Sequence, residues 1–181
     1  MRVRRARWAW VTVLAALGAG CLLPQEDHIL GDLPPEMNRP PRILETLLQP
    51  AGRFVSVRNG ANCPNLTFLA PVSDPDVSDT LIYNFYIDPD VDPAFVKQSQ
   101  LGNNGQAERP GPATLEVSFA ATGPLQRPGQ HIVEVLVSDG ALVNRDPQPK
   151  PVKLPDGGTV LDTTYAVTYA WVVTVSAGSC P

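Results

Sequence analysis

The chain of 181 residues has only two histidines, His28 and His131, and contains no Gly-x-Ser-x-Gly element. A serine or cysteine nucleophile is normally activated by a histidine, and no suitable partner stands out for either one. Strongly basic segments are missing from the body, and the net charge is −4, with 18 acidic against 14 basic residues. Nucleic-acid binding rests on clustered Lys and Arg that neutralise phosphates, so no nucleic-acid partner is expected. No long stretch places apolar residues at the 3.6-residue helical period, which argues against a helical bundle. No internal repeat is visible. The longest apolar run, residues 8–20, would make a helix of about 20 Å at ~1.5 Å per residue. That is short of the roughly 30 Å hydrocarbon core of a bilayer.

What the N-terminus does have is order. Arg2, Arg4, Arg5 and Arg7 precede that apolar run, and small residues close it. A basic region, a short apolar region and a small-residue end are the layout of an export signal. The end reads Leu17-Gly18-Ala19-Gly20-Cys21. It resembles the lipobox of bacterial lipoproteins, with Leu17 one step earlier than the usual leucine. The resemblance implies cleavage after residue 20 and a diacylglycerol thioether on Cys21. Such an anchor is practically permanent, since each buried methylene adds ~0.8 kcal/mol. Leu22 rather than an aspartate follows the cysteine, which by the same resemblance implies sorting to the outer membrane. Loss of residues 1–20 removes four arginines and no acid, leaving 10 basic and 18 acidic residues.

Residues 21–41 then carry five prolines, which remove backbone donors and disfavour helix and central strand. This stretch is expected to be a lipid-anchored, flexible linker. Residues 42–181 read as one all-β domain, because short β-rich runs alternate with Pro, Gly, Asn and Asp clusters. Strands are expected at 43–48, 53–58, 66–72, 81–87, 114–120, 131–138 and 165–175, with Asn59-Gly60 as a tight turn. One further strand is expected within 88–112, where the polar, Pro- and Gly-rich sequence does not place it. Of the strands placed, the fourth, sixth and seventh carry the clearest alternation. Leu81, Tyr83, Phe85 and Ile87 share one face, opposite Asn84. Val133, Val135 and Val137 share another, with Glu134 and Ser138 pointing away. Tyr165, Val167, Tyr169, Trp171, Val173 and Val175 form a third. About seven such strands fit an immunoglobulin-like two-sheet sandwich.

Two segments carry a resemblance. LTFLAPVSDPDVSDTLIYNFYID (66–88) and PGQHIVEVLVSDG (128–140) resemble PKD and related bacterial immunoglobulin-like domains. In these, a strand ending in Asp-Pro-Asp leads into an aromatic strand, and a Val-rich strand ends in Asp-Gly. Phe85 stands where the family usually has Trp, and His131 where it has Tyr.

Few residues invite chemistry. Cys63 and Cys180 are the only cysteines of the body, and in an exported protein they are a disulfide candidate. The alternative is a pair of free or metal-binding thiols. Asp74, Asp76 and Asp79 fall between two strands, and Asp139 ends another at the same pole. Four carboxylates there could converge on Ca²⁺, which takes six to eight oxygens. Alternatively, Asp and Pro simply build the turns. Asp88-Pro-Asp90-Val-Asp92 imitates an EF-hand opening, but Pro93 and Ser99 stand where Gly and Glu are required. His131 is expected to be structural. The 140–162 connection, with Arg145, Lys150 and Lys153, is either a recognition loop or a solvated insertion. The expectation is a non-enzymatic, membrane-anchored cell-envelope lipoprotein without a cofactor, binding an envelope protein or polysaccharide. The alternative is a Ca²⁺-dependent glycan-binding module.

Overall fold

A computed structural model describes residues 37–102, 104–109, 113–119 and 123–180. The expected signal segment 1–20, the lipid site Cys21 and the linker through residue 36 lie outside the described residues. From the N-terminal side the strands are β1 (Arg42–Ile43), β2 (Phe54–Asn59), β3 (Leu66–Leu69), β4 (Val72–Ser73), β5 (Leu81–Ile87) and β6 (Lys97–Leu101). They continue as β7 (Thr114–Val117), β8 (Gly129–Ser138), β9 (Leu142–Val143), β10 (Asp146–Pro147), β11 (Lys150–Lys153), β12 (Thr159–Asp162) and β13 (Ala166–Ala177). A single 3₁₀ turn, Glu45–Leu47, completes the described elements.

One layer holds five strands in the order β2-β13-β8-β5-β6. Its pairs are antiparallel except β2 with β13, which run parallel from Phe54 opposite Val172 to Asn59 opposite Ala177. The other layer is built around β3 and β4. β1 pairs with β4, and a Gln49–Leu69 bridge continues that edge. On the other side β7 pairs with β3, and Glu108 bridges to Ser73. Placing β3 and β7 in one layer and β5, β8 and β13 in the other is the strand partition of an immunoglobulin-like sandwich.

The core follows the alternation of the strands. Tyr83, Phe85, Val133, Val135, Val137, Trp171 and Val173 are fully buried on the inner face of the five-stranded layer. Phe68 meets them from the opposite layer, edge-on to Trp171 at 5.2 Å between ring centroids. Tyr169 packs edge-on to the same indole at 4.9 Å, within the range that favours such pairs. The indole N–H of Trp171 donates to the Pro50 carbonyl at 3.1 Å, so the buried ring leaves no orphaned donor.

Two sequence expectations are corrected by this arrangement and two are filled in. The unplaced strand is β6, which pairs with β5 from Leu101 opposite Leu81 to Lys97 opposite Phe85. As an edge strand it buries little, so KQSQL carries no apolar alternation to betray it. The 140–162 connection is not an open loop but two short hairpins, β9–β10 and β11–β12. Asn59-Gly60 does not make a hairpin, because β2 and β3 belong to different layers. The positive φ falls on Asn62 at 62°, and Gly60 serves for close approach: a Cβ there would meet the Gly178 carbonyl oxygen at 2.6 Å. Finally, Asn84 and Ser138, on the faces opposite the core pattern, are also buried, as is Tyr86 beside Asn84. Arg145, from between β9 and β10, lies 4.6 Å over the Tyr86 ring and pairs with Glu134 on the same outer face.

Candidate functional site

The polar residues of the domain concentrate at the pole where β4 turns into β5 and β8 ends. The Asp74–Asp79 turn joins those first two strands, and Asp139 directly follows β8. Three other segments reach the same place. Residues 37–41 arrive just before β1, Arg109 comes from the approach to β7, and Lys150 opens β11. Backbone pairing fixes Arg109 there: its N–H donates to Val72 O at 3.1 Å, and Asp74 N–H donates to Ala107 O at 2.8 Å.

Arg109 is almost wholly buried and is threaded through the turn. Its guanidinium donates to the carbonyl oxygens of Val77 at 3.3 Å, Asp76 at 3.2 Å and Asp79 at 3.2 Å. Five N–H donors in a rigid fork suit it to gathering several carbonyls at once. The fully buried Asp74 carboxylate lies 3.8 Å from the same group. Asp74 Oδ1 also accepts the Asp76 N–H at 2.9 Å, closing an Asx turn. Burial dominates and raises the Asp74 pKa above its usual value.

The remaining three acids are also engaged. Asp76 accepts from Arg39 through its backbone N–H at 2.6 Å and its side chain at 2.7 Å and 3.0 Å. Partial burial works against the Asp76 charge, but Arg39 outweighs it and holds the pKa below the usual value. Asp79 accepts both its bonds from the Lys150 ammonium, at 2.7 and 2.8 Å. Asp139 Oδ1 accepts the Tyr165 N–H at 2.7 Å, and its Oδ2 accepts the Asn38 amide at 2.8 Å. Burial is the largest influence on Asp139 and raises its pKa.

The four carboxylates Asp74, Asp76, Asp79 and Asp139, weighed as a possible Ca²⁺ site against a turn-building role, are brought to one pole, and there each is held by groups of the protein itself. Arg39, Arg109 and Lys150 enter between them; Asp76, Asp79 and Asp139 bond to Arg39, to Lys150 and to amide N–H groups, while Asp74 Oδ2 has no hydrogen-bond donor and faces Arg109 at 3.8 Å. A divalent ion there would have to displace three resident cations. Among the described residues no group of three or more His, Cys, Asp or Glu is placed to hold a metal ion. The chemistry of the cluster is that of a clamp. Asn38 is its keystone, donating to Asp139 and to Thr163 O at 2.8 Å each while its oxygen accepts from Lys150 at 3.3 Å. The last residues of the expected flexible linker are therefore fixed, with Asn38 and Pro41 buried against the body.

The other sequence candidates lie elsewhere. Cys63 and Cys180 form a disulfide with Cα atoms 4.8 Å apart, joining the start of β3 to the segment after β13. His131 is tied at both ring nitrogens, Nδ1 to Asp88 Oδ2 at 2.6 Å and Nε2 to Arg127 O at 2.8 Å. Asp88, at φ 50°, also accepts the Ile132 N–H and caps the turn through Asp92. This is a structural histidine, holding the end of β5 to the start of β8. Sequence reasoning missed Asn38, Arg39 and Arg109. Each is a single polar residue in a Pro-rich stretch, and nothing local distinguishes it from a solvated one. No family model, curated protein or solved structure matches the chain.

Proposed function

We propose that the chain is an exported, lipid-anchored cell-envelope protein whose sandwich is a non-enzymatic interaction module. The observation that carries this reading is the Cys63–Cys180 disulfide, since cross-links of this kind persist in oxidising compartments outside the cytosol. It agrees with the export layout of residues 1–20 and with Cys21 as the lipid-bearing first residue of the mature protein. Residues 22–36 would then set the distance from the membrane, up to about 45 Å at ~3.1 Å per residue. The Asn38 clamp supports a display role, because it holds the body at the point where that linker meets it. The polar cluster supports the absence of catalysis. Asp74, whose pKa is raised by burial, is fully buried, so a substrate proton has no route to it.

Labelling with a radioactive fatty acid tests the anchor. The wild-type protein should carry label in the envelope fraction, and Cys21→Ala should carry none. An unlabelled wild-type protein would reduce the chain to a soluble exported domain.

A further inference from the structure

The outer face of the five-stranded layer holds a groove that the clamp does not use. It has a volume of about 470 Å³, and its lining includes Asn84, Tyr86, Phe95, Gln98, Leu142 and Asn144. That volume is within the ~300–1,000 Å³ of small-molecule sites. The floor is β5 and β6, one wall is the segment before β6, and the other is the turn around β9. We propose that this groove binds a neutral saccharide, which rests on the reading of the sandwich as an interaction module and gives that module a ligand class.

The lining decides the class by exclusion. It contains no Asp, Glu, Lys, Arg or His, and Arg145, which lies over the Tyr86 ring, is already paired with Glu134, so phosphates, carboxylates and cations would be desolvated there without an unengaged partner. A wholly apolar ligand fits no better, because it would cover the Gln98 and Asn144 amides and leave polar atoms of both unpaired, at about 1–3 kcal/mol each. An extended peptide normally pairs with a sheet edge through its main chain. The floor here is a sheet face, which presents side chains rather than backbone donors and acceptors. A neutral sugar meets each condition. Its hydroxyls donate and accept, as side-chain amides also do, and its C–H faces pack on flat apolar surface such as an aromatic ring.

The groove is also held in a defined shape. Asn84, buried in mid-strand, accepts the Gln98 amide on its oxygen at 2.9 Å and donates to the Tyr86 hydroxyl at 3.4 Å. Gln98 has no other side-chain partner among the described residues, so its carbonyl and second N–H are left for a ligand. Asn144, in the left-handed region at φ 59°, presents its amide from the opposite wall, likewise without a side-chain partner among the described residues. Phe95 remains 50 % exposed at the rim, a large apolar area that no described residue covers further.

The test is calorimetric titration of the full exported protein, purified in a phosphocholine detergent that carries no sugar. The probes are cellohexaose, maltohexaose and the hexamer of N-acetylglucosamine. At least one should bind the wild-type protein. Phe95→Ala and Gln98→Ala, both at exposed positions, should each weaken that binding about ten-fold, the loss of one good contact. Retained melting temperature and an intact Cys63–Cys180 cross-link show that either variant is folded. The proposal is overturned if none of the three sugars binds, if binding is indifferent to both substitutions, or if an uncharged extended hexapeptide binds in their place. Fatty-acid labelling of Cys21 is unaffected by any of these results, so the anchored-protein reading stands or falls separately.

Discussion

Replacement of Arg109 by Met should destabilise the protein far more than loss of a surface arginine. The side chain is almost wholly buried, and it donates to three carbonyls of the 74–79 turn while facing the buried Asp74. Methionine fills much of the space but offers no donor. Breaking a buried charge pair from one side costs about 3–5 kcal/mol, because the abandoned charge stays in low dielectric. With each kcal/mol worth roughly 2–4 °C in a domain of this size, Tm should fall by about 10 °C. The loss should also depend on pH. Burial already raises the Asp74 pKa above its ordinary 3.8. A raised carboxyl contributes stability that is complete below the unfolded value and lost as pH climbs through the folded value. Without Arg109 that folded value rises further, so the deficit of the variant should be largest near neutrality and narrow toward about pH 4. Adding Asp74→Asn, which removes the charge, should return part of the loss at neutral pH. Urea unfolding of the mature protein, followed by the emission of the buried Trp171, compares the wild type with both variants. A deficit under about 1 kcal/mol, the range of exposed ion pairs, would refute the reasoning. So would a deficit of equal size at both pH values.

Removal of the cross-link by Cys63→Ser with Cys180→Ser should cost about 4–5 kcal/mol, since its 117-residue separation closes a long loop in the unfolded chain. Urea unfolding reads the loss, and non-reducing peptide mapping confirms the pair. His131→Ala should flatten the pH dependence of Tm above neutrality. Burial opposes the charged ring, but the Asp88 and Arg127 hydrogen bonds outweigh it and raise the pKa above 6.5. The stability it contributes is therefore present below about pH 6.5 and lost as pH rises through the folded value. A variant whose Tm profile overlays the wild type would remove His131 from the account. Asn38→Ala should free the start of the body, at about 1–3 kcal/mol for partners left unsatisfied. Limited proteolysis should then cut beyond residue 38, at sites the wild-type protein resists.

The inner half of this fold was legible in sequence, and the outer half was not. Val133, Val135, Val137, Trp171 and Val173 alternate because one face of each strand meets the core, and alternation is what a sequence displays. The cross-link was legible for a similar reason, two body cysteines at strand ends that alternate direction to one pole. β6 was not, because an edge strand exposed along most of its length has no apolar signature. The burial of Asn84 and Tyr86 was not legible either, since it depends on the segments before β6 and around β9, neither of which local periodicity anticipates. At the clamp, the acids were found but their meaning was not. Asp74, Asp76, Asp79 and Asp139 announce a shared pole, whereas Arg39, Arg109 and Lys150 come from three remote segments.

Those remote partners also separate the two surfaces physically. The clamp ties Asn38 and Arg39 to the end of β8 and the turn after β4, and its charged groups face one another there. Strong partners satisfied inside the protein have little left to offer outside it. The groove has the opposite character: uncharged amides with unused donors and acceptors beside a half-exposed Phe95. The two are joined by the connection between β8 and β13. Arg145 in its first hairpin lies over Tyr86 at the groove, and Lys150 in its second binds Asp79 at the clamp. A short connection would reach neither. The length of 140–165 is therefore explained by its having two surfaces to complete, one that fixes the body to its linker and one that is left open to a ligand.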